Sequence, residues 1–255
     1  MTGSFEPNPI APPAPPAAPS KSSFARIVGV LFNPVETFAD IARRPDILIP
    51  LVVVVVISIL SSIVVMPRVD FESAIREQMA DSGGDMSADD QERMVRFGTA
   101  MAKAFGYAAP LLNIIFFAII AGVLLLTFRL LGGEGTYKQA LSVTIYAWFP
   151  LLIQGILGLI ILLAKGSVPA EQLPNLVMSN FGFLVNMKEN PVAFAVLSSL
   201  DLFTIWTLAL YIIGFAFVAR VSRAKAAAIV LTFWILIVAF KVGAAAMGAM
   251  AKARK

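Results

Sequence analysis

The chain contains no histidine and no cysteine. Disulfides, thiolate nucleophiles, imidazole bases and the common zinc and haem ligand sets are therefore excluded. Charge is also scarce, with Asp, Glu, Lys and Arg making up 14% of 255 residues. Hydrophobic residues make up 58%, and the 17 glycines bring the apolar share to about 65%, against about 45–50% in soluble domains. Mean hydropathy is +0.83. A soluble chain of this size cannot bury so much apolar surface. The balance excludes an ordinary soluble enzyme and predicts a membrane protein. The net charge of +4 is modest and gives no reason to expect nucleic-acid binding.

The front of the chain is polar. Seven of the first twenty residues are proline, so residues 1–22 read as a disordered, polyproline-like tail. This tail lacks the basic start, apolar centre and cleavage site of a signal peptide, which predicts that it stays in the cytosol. From Ser23 the pattern changes. Phe24, Ile27, Leu31, Val35 and Phe38 recur at helical spacing and draw one apolar face. Asn33-Pro34-Val35-Glu36 reads as a helix start, with Asn33 as the cap, Pro34 at the first position and Glu36 completing a capping box. Arg43 and Arg44 lie near the carbonyl end, and Pro45 stops the helix. Two short amphipathic helices are expected, either lying in the membrane interface or packed on the protein's own spans.

Crossing about 30 Å of hydrocarbon takes about 20 apolar residues. Five windows qualify: residues 47–66, 104–128, 140–164, 192–219 and 226–251. In lipid the backbone must bond to itself, so even the valine run Val52–Val56 is expected to be helical. The fold class is therefore all-α: a polytopic membrane domain over residues 23–251, followed by a basic tail over 252–255. Pro110, Pro150 and the pair Gly155 and Gly158 are candidate bends. Ser87-Ala88-Asp89-Asp90 reads as the start of a helix that runs into the second span. Gly132, Gly133 and Gly135 mark a turn. Leu176 to Met187 is apolar enough to enter the interface but too short to cross.

Basic residues set the orientation. With the N-terminus inside, the two short inner connections, 129–139 and 220–225, hold five basic residues and one acid, and the acidic segment 68–103 falls outside. Five spans then place the basic tail outside, against the rule. The cytosolic N-terminus is retained.

Asp201 and Lys241 are the charged residues well inside a span, where an isolated charge costs about 2.5–3.5 kcal/mol. Asp201 lies about 28 Å before Arg220, and Lys241 lies about 22 Å beyond Ala226, at 1.5 Å per residue. Their similar depth allows an ion pair locking the last two helices, a shared position at the outer interface, or a solute or proton path. Asn113 and Gln154 are candidate interhelical amides. Ala239/Gly243 and Ala244/Gly248 have the spacing that permits close helix approach, within the chain or between copies. Catalytic inventories fail. A serine protease of the membrane lacks its histidine, an intramembrane aspartyl protease lacks its second carboxylate, and no GxxxxGK[ST] phosphate loop is present. No catalytic residue, cofactor or metal site is expected.

Three segments together resemble the Yip family of multi-pass membrane proteins, named for interaction with Rab-type GTPases. The first is Phe32-Asn33-Pro34-Val35-Glu36-Thr37-Phe38, followed by Pro45 and Pro50-Leu51. The second is Gly132-Gly133-Glu134-Gly135-Thr136-Tyr137-Lys138-Gln139-Ala140, running on to Phe149-Pro150-Leu151. The third and most specific is Asp201-Leu202-Phe203-Thr204-Ile205-Trp206, then Leu210 and Gly214. The resemblance spans Ser23 to about Ala249. It implies five helices, a cytosolic N-terminus and no known catalysis. The eukaryotic entry motif Asp-Leu-x-Gly-Pro is met in part by Asp46-Ile47-Leu48-Ile49-Pro50, so small-GTPase binding is not carried over. The chain looks more like the bacterial branch, which implies the cytoplasmic (inner) membrane. The leading expectation is a non-enzymatic scaffold or bilayer-organising protein, with lipid and unidentified proteins or a second copy as partners. The rival is a small-solute or ion carrier using Asp201 and Lys241.

Overall fold

The computed structural model describes residues 21–82 and 86–253. The tail up to Ser20, and Arg254 and Lys255 of the basic end, lie outside the described residues. Helix α1 (Ser23–Phe32) begins where the Ser22 hydroxyl accepts from the Ala25 amide at 3.2 Å. Helix α2 (Pro34–Arg43) follows with proline in its first turn. The expected Asn33 cap does not form. The Asn33 side chain instead donates to Glu36 at 2.5 Å, and the Thr37 hydroxyl donates to the Asn33 carbonyl.

Helix α3 (Leu48–Val65) is the first long apolar helix and continues in a 3-10 turn to Arg68. A short strand β1 (Val69–Asp70) leads to the polar helix α4 (Phe71–Ser82). Helix α5 (Ala88–Leu130) starts at Ser87, whose hydroxyl accepts from the Asp90 amide at 3.2 Å, and runs unbroken through Pro110 into the second span. Residues 137–165 form α6 (Tyr137–Ala147) and α7 (Phe149–Lys165), separated at Trp148 just before Pro150. Thr136 and Gln139 make a reciprocal capping box at the start of α6, so both orphan donors there are satisfied.

The expected fourth span, 192–219, is not one helix. It divides into α8 (Pro191–Leu197) and α9 (Leu202–Val218), with residues 198–201 between them. Asp201 caps α9 by accepting from the Thr204 amide at 2.9 Å. A side chain that caps a helix start competes with the helix continuing through it, and this decides the break. Helix α10 (Arg223–Ala253) closes the chain. Four helical segments are long and apolar enough to cross a bilayer: Leu48–Arg68, Ala88–Leu130, Tyr137–Lys165 and Arg223–Ala251. Helix α9, with 17 residues, is shorter. In those four segments only 11–28% of the most apolar window is buried within the protein. Such an apolar exterior requires lipid as its solvent.

The core gathers around α9, which packs against α2, α6, α7 and α10, while α3 packs on α5 and α7. Phe128 and Phe215 stack with ring centroids 5.1 Å apart, and the Trp148 ring meets Phe117 edge-on at 5.3 Å. Of the two readings for the front helices, α2 takes the packed one: Phe38 and Ile41 are fully buried. At Gly214 a side-chain carbon would stand 2.5 Å from a Val143 methyl and 3.1 Å from the Phe38 ring. Glycine is therefore what lets α9 approach α2 and α6. Gly243 and Gly248 of α10 face open space, so their spacing contributes no packing within this chain.

Two ends of the bundle differ. The connection 131–136 and the turn after α9 lie together at one end, where Arg220 pairs with Glu134 at 2.8 Å and the Glu134 amide donates to the Ala219 carbonyl. Gly132 and Gly135 take φ of 80° and 109° there, a region costly for residues with a side chain. At the other end β1 pairs in parallel with β2 (Val168–Pro169), and two 3-10 turns, Ala170–Asn175 and Phe181–Leu184, build a platform with α4 and α8. Leu176 to Met187 does not cross, in keeping with its length.

Gly214→Ala is expected to lower stability by about 1–3 kcal/mol through overpacking, whereas Gly243→Ala should stay within about 0.5 kcal/mol. Unfolding of the two variants in detergent micelles, by heat or by SDS titration, checks both values.

Candidate functional site

Two polar clusters are buried in this apolar chain. The first was not anticipated. Arg26, with 4% of its surface exposed, points inward from α1. Its Nε donates to Asp40 Oδ2 at 2.9 Å, and its Nη2 lies 2.8 Å from the same oxygen. Its Nη1 donates to Asp46 Oδ1 at 2.5 Å and to the Arg44 carbonyl at 2.9 Å. Asp46 also accepts from the Ser23 hydroxyl at 2.5 Å and from the Tyr146 phenol at 2.8 Å, and the Ser142 hydroxyl donates to its backbone carbonyl at 2.7 Å. One guanidinium fork thus ties α1, α2, the link 44–47 and α6. Burial works to lower the Arg26 pKa, but the hydrogen bonds it donates to Asp40 and Asp46, with their negative charge, outweigh it and hold it above its ordinary value. One buried cation stands against two carboxylates, the exposed Arg43 reaches Asp40 from outside at 3.9 Å, and the hydroxyls of Ser23 and Tyr146 bond to Asp46. The available signal was an arginine set alone in the apolar run Phe24-Ala25-Arg26-Ile27-Val28.

The second cluster surrounds the helix break. Asp201, also 4% exposed, accepts a short bond from the Ser179 hydroxyl and one from Gln154 Nε2 at 3.0 Å, besides capping α9. Gln154 also donates to Ser179 Oγ at 3.0 Å. The segment around Ser179 lies against the break as a strand would: Asn180 bridges to Asp201, and the Leu202 amide donates to the Ser179 carbonyl at 2.9 Å. The backbone freed by the break is thereby satisfied.

The ion pair expected between Asp201 and Lys241 does not form. Lys241 Nζ donates to the hydroxyls of Ser198 at 2.8 Å and Ser199 at 3.4 Å, immediately before Asp201 in the chain. Both side chains sit at the α8–α9 break without pairing to each other. The break turns the Asp201 carboxylate toward α7 and the 177–180 segment, where uncharged donors satisfy it. Gln154 bonds between elements as an interhelical amide does. Asn113 lies half-buried on α5 with no side-chain hydrogen bond among the described residues. The remaining motif residues fall at helix starts, in the core and on the surface. Phe32 is exposed, Pro34 opens α2, Pro50 is buried in the first turn of α3, and Gly133 approaches the Phe128 and Ala219 carbonyls. Pro150 opens α7, Phe203 is buried on α9, and Trp206 packs against the core beside it.

These features define an all-α, multi-pass membrane protein. The family model for the Yip1 domain matches residues 28–244, which is most of the chain, and the protein belongs to that family. No curated protein and no solved structure matches it.

Arg26→Met leaves the buried Asp40 and the half-buried Asp46 without this cation and is expected to cost about 3–5 kcal/mol. Arg26→Lys should recover only part of this, because an ammonium cannot reproduce the fork. SDS unfolding of both variants is the measurement. A double-mutant cycle of Asp201→Asn with Lys241→Met should show coupling below about 0.5 kcal/mol; a bonded pair would couple more strongly.

Proposed function

We propose that this Yip-family protein is a non-enzymatic scaffold or organiser of the bilayer. It crosses the membrane five times, with α9 as the short fourth crossing, and holds its N-terminus on the cytosolic side of a bacterial inner membrane. The observation that carries this reading is the setting of α1. Its inner face is pinned by Arg26, while Phe24, Val28 and Phe32 form an outward stripe, 57–79% exposed, at four-residue spacing. Val35 and Leu48 continue the exposed apolar surface. A helix held rigidly and greasy on its outer side acts as a fixed wedge among lipid headgroups and as a contact for partner proteins. The basic residues Arg43, Arg44, Arg129, Lys138, Arg220, Arg223 and Lys225 lie at or near the same end, in keeping with a cytosolic face.

Cutting the chain at Arg44 would remove Arg26, Phe38 and Ile41 from the core, so the test uses surface changes. The triple variant Phe24→Ser, Val28→Ser, Phe32→Ser is expected to insert and fold normally but to lose partners recovered by cross-linking from native membranes. Undiminished recovery of the same partners would count against this role. Orientation is checked separately, and the cysteine-free sequence makes this direct. Lys138→Cys should react with an impermeant maleimide only from the cytosolic side, and Gln172→Cys only from the other.

One observation favours a carrier instead. A helix broken at a buried carboxylate is a device that transporters use at their substrate sites. Solute flux in proteoliposomes that vanishes in Asp201→Asn would establish it. The three neutral donors already on Asp201 support a structural role and make scaffolding the better reading.

A further inference from the structure

The platform end holds a cavity of about 390 Å³ at the foot of α7. It has two kinds of wall. Leu176, Met178 and Phe183 are apolar, and Met178 and Phe183 belong to the exposed apolar surface of the 170–190 segment. The polar part of the lining is Lys165, Glu171, Gln172, Asn175, Asn186 and Lys188. The two lysines differ. Lys188 Nζ is held between Glu77 at 2.6 Å and Glu171 at 2.9 Å, and the Glu77 hydrogen bond first, then that of Glu171, keeps its pKa above the ordinary value. Lys165, the last residue of α7, has no ion-pair or hydrogen-bond partner among the described residues.

An unpaired cation, Lys165, and a carboxylate, Glu171, therefore lie around one space that opens where an apolar span ends, with Glu77 behind Lys188 outside its lining. The two lysines balance Glu77 and Glu171, so the site has no net charge, but the charge is divided. A ligand that matches it carries a negative group for Lys165 and a cationic N–H donor for Glu171. It also carries apolar chains to lie over Met178 and Phe183. We propose that this cavity is a headgroup site for a zwitterionic, primary-amine phospholipid of the phosphoethanolamine class. Its phosphate sits at Lys165, its ammonium faces Glu171, and its acyl chains run down α7 into the bilayer. A quaternary choline headgroup has no N–H to give this carboxylate, and a glycerol headgroup has no positive charge. The site is independent of α1 and holds whether the protein scaffolds or carries.

The full chain, delipidated in detergent, is titrated with phosphatidylethanolamine, phosphatidylcholine or phosphatidylglycerol of matched acyl chains, and bound lipid is read by native mass spectrometry. Phosphatidylethanolamine should bind about tenfold more tightly than either of the others, in line with one charge-assisted hydrogen bond. Glu171→Gln should abolish that preference, whereas Lys165→Gln should weaken all three lipids alike and Lys165→Arg should keep their binding. Lys165 is exposed and unpaired, so the fold does not depend on it, and an unchanged melting curve verifies this. Two soluble probes, inorganic phosphate and glycerophosphoethanolamine, should fail to displace the lipid at equal concentration. Equal binding of the three lipids, retention of the preference in Glu171→Gln, undiminished lipid binding in Lys165→Gln, or displacement by either soluble probe would each overturn the proposal.

Discussion

Hydrocarbon supplies no hydrogen bonds, and this governs the structure wherever the chain leaves a helix within or beside the membrane. Each unpaired backbone group there would cost several kcal/mol, roughly as much as a whole domain can spare. The break at residues 198–201 survives because the 177–180 segment lies against it as a strand. The Asp201 carboxylate replaces the missing helical acceptor for the Thr204 amide. The link between α2 and α3 survives because Arg26 takes the Arg44 carbonyl and Ser142 takes the Asp46 carbonyl. Both sites place an aspartate where helix gives way to non-helical chain, and both use hydroxyl and amide donors from elsewhere in the fold to complete it.

The two clusters nevertheless do different work. The Arg26 cluster is charged, with one buried cation and two acids, and joins the front of the chain to α6 across a separation of 100 residues. Such a cluster is a register device: hydrophobic packing alone would allow α1 and α2 to slide over an apolar bundle, while a fork with four bonds has one position. The Asp201 cluster uses only neutral donors. It fixes where α9 begins and leaves Lys241 to hold Ser198 and Ser199, the other side of the same break. Between them the two clusters locate the ends of α9, α2 and α6, the helices that meet at Gly214, Val143 and Phe38.

The ends of the bundle follow from this arrangement. At the α1–α2 end connections are short, glycine-bearing and basic, and α1 turns its apolar stripe outward. At the platform end they are longer, polar and tied by Lys188 between two glutamates. A Yip-family chain built this way presents lipid with two unlike borders: a rigid greasy helix on one side, and a charged shelf with an amphipathic cavity on the other.

What the residues alone determined was the solvent. Runs of apolar residues longer than the hydrocarbon is thick are legible one at a time, because helix formation there needs only local bonds. The positions of α3, α5, α6–α7 and α10, the start at Ser87 and the glycine turn all followed in that way. The division of 192–219 did not, since hydropathy averages over a window and one aspartate barely lowers it. Nor did the partners of Arg26, Asp40, Asp46 and Tyr146, or the failure of Asp201 and Lys241 to pair. Those depend on which groups, distant in the chain, arrive within 3 Å of one another, and only the packing of α2 and α6 on α9 and the return of the 177–180 segment decided it.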